Sequence, residues 1–139
     1  MTYVKKILEA IAETLNAPGK PSGLVITTSR TQPSSAAKLI AVFPLQDKPV
    51  EELTPRTRAA ARRFLTVAVV CRCAGTDIDN EELRAWAVSR LMADITLGGI
   101  AARVMETITE WQGEFDSQSN YSMAVMQFSV EYARPINEL

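Results

Sequence analysis

The stretch from Asp77 to Ala102 constrains this chain more than any other, because it reads as one amphipathic helix with both ends marked. Such a helix must lay its apolar stripe on something. Asp79 is a candidate N-cap, Glu82 three residues on can reach back to it, and Ile78 is placed to touch Leu83, so a capping box and a hydrophobic staple coincide. Glu81 and Glu82 lie where the positive end of the helix dipole favours carboxylates. Leu83, Trp86, Ala87, Leu91 and Ile95 recur at spacings of three and four and make one buried stripe, with Arg84, Ser89, Arg90 and Asp94 opposite. Gly98-Gly99 is the predicted C-terminal cap, and a new segment starts near Ile100.

The segment just before this helix supplies the surface it needs. Phe64 to Cys73, FLTVAVVCRC, is apolar on both alternating faces and reads as a central strand covered on both sides, closed by Gly75. Lys38 to Phe43 is a shorter β-prone run ended by Pro44, followed by a polar connection from Gln46 to Leu53. Thr54-Pro55 looks like the start of a short helix, Pro being suited to the first helical position. After the Gly-Gly turn, Ala102 to Gln112 alternates as a strand with Met105 and Trp111 on one side and Val104 and Ile108 on the other. The polar connection Gly113 to Asn120 leads to a last strand, Ser122 to Ala133, and Pro135 ends pairing, so the two should form an antiparallel hairpin.

At the N-terminus, Thr2 to Asn16 sets Val4, Ile7, Leu8, Ile11 and Leu15 at helical spacing, with Lys5, Lys6, Glu9 and Glu13 outside. Ala17 to Ala37 is rich in Pro, Gly, Ser and Thr around Leu24-Val25-Ile26, and is expected to be a mobile arm whose Leu24 to Thr28 portion becomes a strand on finding a partner. The expectation is a single α+β domain over residues 1–139, with 17–37 as the arm or loop: a mainly antiparallel sheet of about four strands with two principal helices packed on it.

Charge and composition narrow the function. Fifteen basic and sixteen acidic side chains leave a net charge of −1, which provides no overall field for holding nucleic acid or an anionic membrane. No signal-peptide core and no apolar run long enough to span a bilayer is present, so the expectation is a soluble protein made in the cytoplasm. The chain has no histidine, which removes the commonest general acid-base, metal ligand and triad member. There is no phosphate-binding glycine loop, since the Gly-Gly pair sits at a helix C-terminus. Cys71 and Cys73 point to one face of a strand, too close in an extended chain for a strain-free disulfide; as a zinc half-site they lack a second Cys/His pair, and they read as reduced core thiols. Asp77 with Asp79, and Glu110 with Glu114 and Asp116, read as helix capping and a solvated hairpin rather than as carboxylate pairs. No catalytic residue, cofactor site or metal site is assigned.

Two features are candidates for contacts. Arg56, Arg58, Arg62 and Arg63 form the only basic cluster, beside the expected short helix, and read either as a solvated face or as a patch for an acidic surface of another subunit or a passing nucleic-acid backbone. Leu24, Val25 and Ile26 in the arm are the second. Trp86 and Trp111 read as core.

The arrangement as a whole resembles the tail terminator proteins of long-tailed bacteriophages and prophages, the minor tail protein U-like family. The likeness runs from Met1 to Pro135 and rests on the helix ending MADITLGGIAARV and the terminal strand closing on FSVEYARP, taken with the order of the other elements. It implies a structural, non-enzymatic virion protein with no cofactor, found in the host cytoplasm during assembly and then in the virion tail. Such a protein assembles with copies of itself, typically as a six-membered ring, on the completed tail tube, stops polymerisation and presents a surface for head–tail joining. The implied partners are the tail tube protein, a head-completion protein and DNA in transit through the channel, with no membrane. A ring needs two different faces on each subunit, and exposed sheet edges and the arm are candidates for them. The alternatives are another phage neck or head–tail connector protein, or a cytoplasmic ligand-binding α+β domain.

Overall fold

The computed structural model describes residues 2–30, 36–50, 60–112 and 121–135. Along the chain these form α1 (Tyr3–Leu15), β1 (Leu24–Thr27), β2 (Lys38–Pro49), β3 (Ala60–Ala74), α2 (Asp77–Met92), β4 (Arg103–Gln112) and β5 (Tyr121–Pro135). The α+β class is as expected. The sheet, however, has five strands in the order β1-β2-β3-β5-β4 and is mixed: β1 runs parallel to β2, and every other pairing is antiparallel.

The additional strand comes from the segment expected to be an arm. Leu24–Thr27 pairs with Lys38–Ala41 within the same chain, and Leu24 is buried in the core. Three apolar residues set between turn-forming neighbours suffice for a short edge strand once one of them has a core to enter.

The Val-rich β3 takes the expected central place between β2 and β5, but among the described residues helices cover only one of its faces, not both as expected. Its register with β5 sets Val67 against Phe128 and Val69 against Met126, and Leu65 lies against Val130. These six side chains all point to the face that both helices cover. α1 buries Ile7, Ile11 and Leu15 of its stripe, while Val4 and Leu8 pack at the margin. α2 buries Asn80, Leu83, Ala87 and Leu91.

Both ends of α2 differ from the sequence reading. Thr76, not Asp79, is the N-cap; Asp79 is the third helical residue, whose carboxylate accepts from the Thr76 N–H at 3.0 Å while its own N–H donates to Thr76 Oγ1 at 3.4 Å. The capping box is real but begins three residues earlier, so Ile78 stays 79% exposed and forms no staple. Gly75, at φ +130°, admits this turn, and a Cβ there would come within 2.5 Å of the Asp79 carboxylate. The helix stops at Met92, well before the Gly-Gly pair. Asp94 takes over the chain by accepting from the Thr96 N–H at 3.0 Å and the Gly98 N–H at 2.8 Å, and the local turn competes successfully with another helical turn. Ile95 is consequently half-exposed instead of completing the stripe.

Strand boundaries move for similar reasons. β2 runs through Pro44 to Pro49: Pro44 keeps its place opposite Val67, and a register shift between Pro44 and Gln46 leaves Leu45 out of the pairing. The last two strands form the expected antiparallel pair, but a shift between Glu106 and Ile108 breaks the alternation of β4. Met105 and Ile108 therefore share one face, while Trp111 turns to the other; at 45% exposure Trp111 is not core, and Trp86 is only half-buried against it. Arg62 and Arg63 belong to β3 and not to the flank of a helix. The expected helix after Thr54-Pro55, the connection Gly113 to Asn120, and with them Arg56, Arg58, Glu114 and Asp116, lie outside the described residues.

Candidate functional site

Alternation along β3 and β5 sends every second residue away from the helices. On that side Ala41, Ala68 and Val70 are buried, and Phe43, Met123 and Val125 pack against them at partial exposure. Farther out, Leu45, Met105 and Ile108 stand 43 to 45% exposed. No helix among the described residues covers this surface. An apolar sheet face left in this condition is unusual for a surface meant only for water.

A groove of about 570 Å³ runs across this face. Phe43, Val70, Met123 and Val125 form its floor, Arg30 and Arg72 flank one part of it and Glu110 another. Arg30 is held in place, its guanidinium 4.7 Å from the centre of the Phe43 ring and donating to the Pro44 carbonyl at 2.5 Å. Arg72 stacks 5.1 Å over Tyr121. A floor of this kind with charges at the rim is complementary in character to an apolar surface bordered by charge.

The covered side is constructed differently. Asn80, fully buried, donates from Nδ2 to the Cys71 carbonyl at 3.0 Å and to Ser122 Oγ at 3.3 Å, and Ser122 donates onward to Asp77. This chain of bonds ties the start of α2 to the ends of β3 and β5. Arg84 grips Glu81 through two donors at 2.8 Å, reaches Glu106 at 3.2 Å and lies 5.5 Å from the Trp111 ring centre. The pairing with Arg84 lowers the Glu81 carboxyl and raises the guanidinium, and the Thr76 bonds hold the Asp79 carboxyl low. Burial pushes the Cys71 thiol up to about 12, so it stays protonated and unreactive at neutral pH. Cys73 is also raised by burial, with Lys38 pulling the other way. Both cysteines are free and buried. A recess of about 460 Å³ beside the start of α2 brings Lys38, Cys73, Asp79 and Glu82 near one another, but Asp79 is already engaged by its cap.

The sequence candidates fall in separate places. Leu24 is core, Ile26 is half-buried and Val25 is 43% exposed on the edge strand. Arg62 pairs with Glu131 on the uncovered face, where Arg103 also approaches Glu131 at 3.9 Å. Arg63 points to the opposite side and pairs with Asp47 at 3.2 Å. Asp47 accepts from the Tyr132 hydroxyl as well, and burial followed by this bond raises the Tyr132 phenol. Strand alternation thus divides a cluster that looks continuous in sequence. The uncovered groove was signalled by the two apolar faces of Phe64 to Cys73 together with Met123 and Val125, but not its location. Asn80 fits the helical stripe one turn before Leu83, and its polarity concealed it.

No family model and no curated protein matches the chain.

Proposed function

We propose that this chain is a structural protein that assembles with copies of itself as a ring, caps a phage tail tube, ends its polymerisation and offers a head–tail joining surface. The observation that carries the reading is the one-sided sheet: a helix-covered face that completes the fold, and an apolar uncovered face that a soluble monomer has no reason to keep. The likeness of MADITLGGIAARV and FSVEYARP to tail terminators is what favours a phage tail as the assembly, and a sequence without histidine accords with a non-enzymatic role. In this reading the tail tube and a head-completion protein meet different surfaces of the ring, and DNA passes through the channel. None of the described helices is long and apolar enough to cross a membrane.

A neck or head–tail connector role is the nearest competing assembly. The test is to produce the chain together with the tail tube protein of the same genome and measure tube lengths by electron microscopy. Tubes of uniform length capped by this chain support termination; unchanged, indefinite tubes with no bound chain overturn it.

A further inference from the structure

We propose that the two free edges of the sheet pair with each other between copies of this chain, β1 of one copy adding antiparallel to β4 of the next. The inference deepens the ring reading and takes self-assembly from it. What it adds is which strands meet, in which direction and in what register.

Among the described residues, β1 and β4 are the outermost strands, and each offers a row of unpaired backbone groups. β1, LVIT, is short but carries no charge and no proline; β4 carries Arg103, Glu106 and Glu110 and an irregularity near Thr107, yet still exposes Met105, Ile108 and Trp111. Direction follows from the pairings. β1 and β2 run together, and three antiparallel steps lead from β2 through β3 and β5 to β4, so β4 runs opposite to β1. A second copy that continues the sheet in the same sense therefore meets the first in antiparallel pairing.

The registers give the facing residues for a neighbour set level with the first copy. Thr27, Ala41, Val70, Val125 and Glu110 lie on one line across the sheet, and Ile26, Ile40, Cys71, Ala124 and Trp111 on the next. Continuation places Thr27 opposite Glu110 on the uncovered face and Ile26 opposite Trp111 on the helix face. Val25 then comes level with Gln112, and Ile108 lies on the same face beyond the Thr27–Glu110 pair.

Charge favours the same match. From Thr14 to Gln46 the chain has Lys20, Arg30 and Lys38 and no acidic residue, so the β1 side is basic. β4 carries Glu106, which Arg84 already pairs, and Glu110, against an Arg103 that leans toward Glu131, so Glu110 is the acidic group it brings to the basic side. Like edges repel and unlike edges attract. Because the contact uses different surfaces on the two partners, copies add head to tail, the kind of contact from which a cyclic ring is built when the rotation between neighbours closes.

The test uses two single variants, Thr27→Cys and Glu110→Cys, with the wild-type chain and its buried Cys71 and Cys73 as the control. Each is oxidised alone and as an equal mixture at low salt, and the mass before oxidation is measured by light scattering. The expected result is a disulfide-linked dimer in the mixture and in neither single variant alone. Linkage within either single variant alone overturns the proposal in favour of like-edge pairing. A multimer without linkage in the mixture overturns edge pairing and leaves the ring reading standing on another contact. A single-subunit mass at the highest attainable concentration overturns edge pairing between free chains; the ring reading is then decided separately by tube length.

Discussion

The two faces of the sheet differ more than their strands do. Along β3 the helix side carries Leu65, Val67, Val69, Cys71 and Cys73, all buried beneath α1 and α2. The other side carries Ala68 and Val70 among half-exposed neighbours and a groove. Equal strand propensity on both faces thus has two outcomes: one face fixes the monomer, and the other is the face that the proposed function gives to assembly. Helix-side substitutions should therefore be paid in folding, and uncovered-face substitutions in assembly.

The largest effect belongs to the covered face. Phe128→Ala removes a fully buried ring from the core and is expected to cost about 3 to 5 kcal/mol, read as a fall in the denaturant midpoint. A similar loss from Val125→Ala, which lies on the other face, would erase the distinction.

The next prediction sharpens the covered side by pH. The Cys71 thiol is raised by burial from 9.0 to about 12. The folded state therefore holds this proton more tightly than the unfolded chain, and its contribution is fully present below pH 9.0 and falls as pH rises toward 12. Denaturant midpoints should decline over that window, and Cys71→Ala should flatten part of the decline after its own lower baseline is allowed for. Identical curves for the two proteins would contradict burial of the thiol.

Smaller again is the cap that starts α2. Thr76→Ala removes the side-chain oxygen that accepts from Asp79 N–H and should cost about 1 kcal/mol, with Thr76→Ser retaining most of the stability. The smallest effect on folding is at the uncovered face. Ile108→Ser should change stability by no more than about 0.5 kcal/mol, as exposed substitutions usually do, yet weaken self-association at fixed concentration. Unaltered association would remove Ile108 from the contact surface.

Much of the covered side is legible in the sequence because periodicity reports burial directly. Ile7, Ile11, Leu15, Leu83, Ala87 and Leu91 all follow it, and so does the central place of β3. Ends of elements are decided by local hydrogen bonds that periodicity does not see: Thr76 outcompetes Asp79 for the cap, and Asp94 ends α2 ahead of the glycines. The irregularity in β4 reverses the alternation midway, which is why Met105 and Ile108 come together and Trp111 moves to the helix-covered face, where its place on an outermost strand leaves it 45% exposed. Leu24 to Thr27 is too short for its pattern to distinguish a strand of this sheet from one offered to a neighbour. The arginine cluster shows the same limit, since adjacent residues such as Arg62 and Arg63 leave a strand on opposite faces.

The most direct test of a face reserved for assembly is solution mass by light scattering after size exclusion, over a range of concentrations and at two salt concentrations, for the wild-type chain and Ile108→Glu. The account predicts a wild-type mass near six subunits, or a monomer that becomes a ring as concentration rises, weakened by salt, with Ile108→Glu folded and shifted toward the monomer. A single-subunit mass for both proteins under every condition would contradict it.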